Sequence, residues 1–138
     1  MDRDTFDRLK KKVTKDTNVT SENVDTFSIT IPKMYFQLLD MYTTEKRLMT
    51  EQRGLIAKTY KELYHHYTFD VDFKVGGSKS EIESYIFGDD KYYNTKLDYD
   101  FQCIVVEYLE KTLDNIQKIN FFISNHLNFL KLKHGFMS

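Results

Sequence analysis

PKMYFQLLDMYTTEKRLMTEQRGLIAKTYKELYHHY, residues 32 to 67, carries two faces at once. At about 100° per residue, Leu38, Met41, Tyr42, Leu48, Met49, Leu55, Ile56, Leu63 and Tyr67 fall on one broad side of a helix. Lys46, Arg47, Arg53, Lys58 and Lys61 fall opposite, within an arc of roughly 140°. The series Met41, Leu48, Leu55 and Tyr42, Met49, Ile56, Leu63 step by seven, so an apolar seam follows the element. Pro32 suits a first helical position, where its missing N–H costs nothing, and the period changes after Tyr67. One side packs and the other presents cations.

The rest of the chain reads as support for this helix. With 138 residues there is room for one domain, or one protomer of an assembly. A net charge of −1 excludes a uniformly basic nucleic-acid binder but not segregated charge. Residues 1–16 hold six basic and four acidic groups, 33–67 hold six and four, and 68–100 hold four and eight, which suits a local anionic partner better than a membrane surface. The single cysteine, Cys103, excludes an internal disulfide framework and favours a reducing compartment. No apolar run approaches the roughly 18 residues of a membrane span and no signal peptide opens the chain, so the expected location is the cytoplasm.

Upstream, residues 3–13 predict a short helix with Phe6, Leu9 and Val13 on one side and Lys10, Lys11 and Lys12 on the other. Residues 16–30 read as a polar connector, with Phe27, Ile29 and Ile31 extended before Pro32. Downstream, Phe69, Val71, Phe73 and Val75 alternate with Asp70, Asp72 and Lys74, the period of a short β-strand. A lone strand leaves open edges, so this one forms a hairpin, adds to a neighbouring subunit, or is instead a loop. Ser80-x-x-Glu83 predicts the start of a short helix closed by Gly88, and Thr95-x-x-Asp98 the start of a last one running to about Lys133. Along that last helix Leu109, Leu113, Ile116, Asn120, Ile123, Leu127 and Leu130 step four and three in turn, with Ile119 beside them and Phe121, Phe122 and Phe129 on the far side. This is a coiled-coil type of seam with a polar Asn120, a device that sets register and oligomer state. A helix apolar nearly all round needs cover all round, so the seam predicts homo-oligomerisation.

Catalytic signals are sparse. Gly76-Gly77-Ser78-Lys79-Ser80 lacks the glycine before lysine that a phosphate loop needs. The Asp pairs at 70 and 72, 89 and 90, and 98 and 100 have no calcium-loop spacing, and His65 and His66 point about 100° apart on a helix. No metal ion, cofactor or catalytic residue is expected. Binding signals are stronger: Tyr60 and Tyr64 lie among the cations of the long helix, and cations with aromatic planes grip single strands regardless of base sequence. A near-neutral charge leaves room for a rival reading, a non-enzymatic oligomeric adaptor whose basic face meets an acidic protein.

The order of Pro32, Tyr60-Lys61 through Tyr64 to Tyr67, Lys79-Ser80-Glu81, and Leu113-Asp114-Asn115-Ile116 followed by Phe121 and Ile123 resembles the phage recombination mediator family UvsY. The likeness covers most of residues 30–130, in short motifs. It implies a mainly α fold over residues 1–138, with 1–94 as the DNA-binding part and 95–138 as a C-terminal assembly helix. It further implies a non-enzymatic homo-oligomeric ring, hexameric or heptameric, in the cytoplasm of a phage-infected bacterial host. The implied partners are single-stranded DNA, a UvsX-type recombinase that it loads, and the phage single-strand-binding protein that it loosens. The resulting DNA-binding set is Lys46, Arg47, Arg53, Lys58, Tyr60, Lys61, Tyr64 and His65. The family pattern has a basic residue, any residue and a second basic residue late in the long helix; Lys61 matches the first and Leu63 replaces the second. Thr68-Phe69 stands where Ser-Gly is usual.

Overall fold

Helix-forming sequence dominates, and the computed structural model, which describes residues 1–70 and 76–137, contains four α-helices. They are α1 (Arg3–Asp16), α2 (Val24–Phe69), α3 (Lys79–Phe87) and α4 (Asp90–Met137). No strand occurs among the described residues. The strand expected over 69–75 meets this at one end, where Phe69 is the last residue of α2, while residues 71–75 lie outside the described residues.

Helices α1, α3 and α4 each start on a polar side chain that satisfies an orphan N–H group of the first turn. Asp2 accepts from the Thr5 amide at 2.7 Å, and these hydrogen bonds hold its carboxyl below the ordinary carboxylate range. Asn23 accepts from the Thr20 amide at 2.7 Å and donates to the Asn18 carbonyl, folding a short turn from which α2 departs. That turn starts the helix at Val24, upstream of the expected Pro32, so Phe27, Ile29 and Ile31 are helical. Pro32 is an interior residue of α2. It is exposed, where water can take up the carbonyl that loses its amide partner. Ser78, two residues before the expected cap, accepts from the Glu81 amide and opens α3. Asp89 accepts from the Lys91 amide at 2.9 Å and opens α4 ahead of Thr95, whose hydroxyl is instead tied back to the Lys91 carbonyl at 2.7 Å.

The chain forms two compact units, Met1–Thr44 with Val105–Ser138, and Glu45–Ile104. In the first, Phe6 and Val13 of α1, Val24, Ile31 and Leu38 of α2, and Val105, Val106, Leu109, Leu113, Ile116 and Ile123 of α4 make the core. Phe6 meets Tyr108 edge to face at 5.3 Å, and the Gln117 amide donates to the Tyr35 hydroxyl at 3.0 Å. Four of the residues expected to join subunits, Leu109, Leu113, Ile116 and Ile123, are therefore consumed by the core of a single chain. Ile119, Leu127 and Leu130 are half-buried and Asn120 is exposed. The bare apolar stripe of the tail is a different set, Phe121, Phe122, Phe129 and Leu132, each more than 60% exposed.

In the second unit Leu63, Ile82 and Ile86 form the apolar cluster, with Tyr60, Tyr64, Tyr67 and Tyr92 packed against it. Of the expected seam of α2, Met49 and Leu63 are buried here. Leu55 is half exposed, and Glu45 and Thr59 are buried instead. The Gln102 amide satisfies the Glu45 carbonyl at 2.9 Å and its carboxylate at 2.6 Å, which makes a polar residue tolerable there.

Candidate nucleic-acid interface

Helical geometry divides the eight expected contact residues into two stripes. Arg47, Lys58, Lys61 and His65 fall within about 60° of one another, facing away from the buried line through Glu45, Met49, Thr59 and Leu63. All four are exposed, and Arg47, Lys58 and Lys61 have no ion-pair partner among the described residues. Lys46, Arg53, Tyr60 and Tyr64 fall within about 40° on one flank of that core line. Arg53, Tyr60 and Tyr64 engage the rest of the unit. Arg53 donates to the Tyr99 hydroxyl at 3.3 Å, a contact that raises its already high pKa. Tyr60 donates to Glu83 Oε1 at 2.8 Å, and this hydrogen bond raises the phenol's pKa.

The two stripes meet at the end of α2. Tyr60 and Tyr64 stack with ring centroids 6.2 Å apart, Tyr60 also lies 6.3 Å from Phe87, and His65 lies 5.1 Å from Phe69. Together with Lys61 and Lys79, the residues Tyr60, Tyr64, His65 and Phe69 line an open groove of about 500 Å³. Lys79 also pairs with Glu83 at 3.9 Å, so one carboxylate holds both Tyr60 and Lys79. The neighbouring concavity at Lys58, Lys61, Glu62 and His65 extends the cationic side. Such a surface offers phosphates a line of ammonium groups and bases a set of ring faces, and demands no base sequence.

Leu63 is no failed contact residue. It is 8% exposed and belongs to the Leu63, Ile82, Ile86 cluster, because a residue two places after Lys61 lies about 200° round the helix. A model of the family described as recombination, repair and ssDNA binding protein UvsY matches residues 12–136. The chain belongs to the UvsY family. The UvsY fold extends the likeness into three dimensions, in three crystal lattices of the bacteriophage T4 recombination mediator protein UvsY. The TM-scores are 0.77, 0.78 and 0.76 at 14%, 17% and 16% identity. The matches cover 93%, 93% and 91% of this chain and 98%, 96% and 98% of those chains. A search of curated proteins finds no significant match.

Lys79 and Phe69 line the groove but stand outside the expected set, and Phe87 flanks Tyr60 beside it. Phe69 reads as a strand residue because of the alternation after it, and Lys79 reads as part of a glycine-rich loop. The usable signal is the short helix opened by Ser78, which brings Lys79 beside Tyr60 and Tyr64. Among the described residues no group of His, Cys, Asp or Glu could hold a metal ion, and no helix is long and apolar enough to cross a membrane.

Proposed function

We propose that this UvsY-family chain binds single-stranded DNA as a homo-oligomer and acts by binding alone, promoting loading of a UvsX-type recombinase onto DNA covered by single-strand-binding protein. The observation that carries the reading is the meeting of the Arg47, Lys58, Lys61, His65 stripe with the Tyr60, Tyr64, Phe69, Lys79 groove at the end of α2. Phosphates run along the first and bases rest against the second. A few cations per protomer hold a strand weakly; several protomers on one strand multiply the grip, and the strand they share is bent away from the path a cooperative covering protein needs. Assembly is assigned to the tail, residues 95–138, through the exposed Phe121, Phe122, Phe129 and Leu132 stripe, with the half-buried Ile119, Leu127 and Leu130 at its margins.

A salt titration with a fluorescein-labelled oligothymidine tests the reading. Log affinity should fall linearly with log salt, and Lys58→Ala with Lys61→Ala should shallow the slope by about 1.4 for each protomer in contact, at roughly 0.7 per lost phosphate contact. Binding that ignores salt, or an unchanged slope in the double variant, would remove it.

A further inference from the structure

A second concavity lies far along the sequence from the aromatic groove, between α1 and the first turns of α2, wholly within one compact unit. It encloses about 560 Å³, inside the roughly 300–1,000 Å³ range of pockets that hold ligands. Its floor consists of two apolar ridges, Leu9 and Val13 at i and i+4 on α1, and Met34, Leu38 and Met41 at i, i+4 and i+7 on α2, with Phe27 between them in the chain. Two such ridges make a trough of the kind that receives one face of an amphipathic helix. Methionines at two of these positions let the trough repack around unlike side chains. The rim carries Lys12, Lys15 and Lys33 against one acid, Asp16. The three lysines are exposed, and none forms an ion pair among the described residues.

We propose that this trough docks an acidic amphipathic helical segment of another protein, the apolar face of the segment on the floor and its carboxylates against Lys12, Lys15 and Lys33. Charge decides the occupant. An excess of two positive groups on the rim attracts carboxylates and repels a basic segment. The last turns of α4 in a second copy are poor candidates, since from residue 115 onward the chain has no acidic residue and carries Lys118, Lys131 and Lys133. Phosphate of a nucleic-acid strand would satisfy the rim but leave the apolar floor unused.

The test uses the full chain and a labelled 15-residue helical peptide with Glu on one face and Leu and Phe at i, i+4 and i+7, beside a control in which each Glu is Lys. Fluorescence anisotropy should show saturable binding of the acidic peptide, at least tenfold tighter than the control. Lys12→Glu with Lys33→Glu should weaken it at least tenfold, and Met34→Glu, which alters the floor alone, should weaken it comparably, with the helical circular dichroism unchanged in both. Lys58→Ala with Lys61→Ala should leave it within twofold. No binding, equal binding of both peptides, or equal loss in the Lys58/Lys61 variant would overturn the proposal. A changed sedimenting mass of the Lys12/Lys33 variant would equally overturn it in favour of a second copy, and a loss of DNA affinity without loss of peptide binding in favour of a nucleic-acid track.

Discussion

Ile116→Ala and Phe121→Ser, five residues apart on α4, should fail in different ways. Ile116 is 1% exposed in the core of one chain, whereas Phe121 is 69% exposed on the opposite side of the same helix. Truncating Ile116 removes three buried carbons, about 2.4 kcal/mol at roughly 0.8 kcal/mol per methylene, and the cavity left behind brings the loss to about 2–5 kcal/mol. With a urea slope of about 1–3 kcal/mol per molar, the unfolding midpoint should fall by about 1–2 M. Phe121→Ser gives up little intrachain burial, so it should cost the isolated chain under about 1 kcal/mol. Its effect belongs to assembly: the sedimenting mass should drop, and the urea midpoint should stop rising with protein concentration. Circular dichroism in urea at two concentrations, with sedimentation velocity on the same samples, separates the two behaviours. If Ile116→Ala kept its midpoint but lost mass, the tail seam would lie between chains after all, and the core described for this unit would be wrong.

Three more outcomes follow from single contacts. Gly54 is exposed in the interior of α2 on the cationic stripe, and a Cβ there meets nothing within 4 Å, so Gly54→Ala should raise stability by about 0.5–1 kcal/mol in urea unfolding; lower stability would show a clash that the structure lacks. Gln102→Leu strips the amide from the buried Glu45 carboxylate and carbonyl and should cost about 1–3 kcal/mol, whereas a neutral result would mean that water already reaches Glu45. Tyr67 donates to Asp89 at 2.6 Å, and this bond, burial and the nearby charge push its pKa up to about 12 from an unfolded value of about 10. The folded state thus keeps the proton longer, so this contribution is whole below pH 10 and is lost between pH 10 and 12. Tyr67→Phe should flatten part of the alkaline fall in the urea midpoint, the raised Tyr60 pKa supplying another part; superimposable profiles would show that the Asp89 contact is absent in solution.

The number and order of helices were legible because long amphipathic periods survive small errors of register. What misled was local. Pro32 is a good first residue, but the turn that Asn23 folds starts the helix upstream of it, and a helix can carry an exposed proline where water reaches the freed carbonyl. Leu55 looks more like core than Glu45 or Thr59, yet burial follows the line that Ile31 and Leu38 establish upstream, and every seventh residue after them is polar. The four-three spacing of the tail predicts a seam, and the same spacing serves a facing helix of its own chain as well as one of another copy. Here α1 and the early part of α2 supply enough apolar surface to cover Leu109, Leu113, Ile116 and Ile123. Of the candidate surface, the basic stripe of α2 is legible in the spacing; Lys79 is not, because it arrives on α3 from across the fold.

That arrival explains why the aromatic part of the surface sits at the end of α2 and not along it. A tyrosine on an isolated helix is free to fold back on its own backbone, so it presents a ring face only part of the time. Glu83 fixes Tyr60 by its hydroxyl and draws Lys79 to the same place, while Phe87 limits the ring from the side. The rotamer freedom that base stacking would otherwise cost is then already lost in folding. Glu83→Ala should separate these effects, since it removes a negative charge near the groove and also frees both partners. Charge alone predicts tighter binding of single-stranded DNA without a change of salt slope; loss of the fixed ring predicts weaker binding at high salt, where stacking carries most of the remaining affinity. Weaker binding above about 0.5 M salt would assign the carboxylate a positioning role, and tighter binding at every salt concentration would reduce the Tyr60 contact to a bystander.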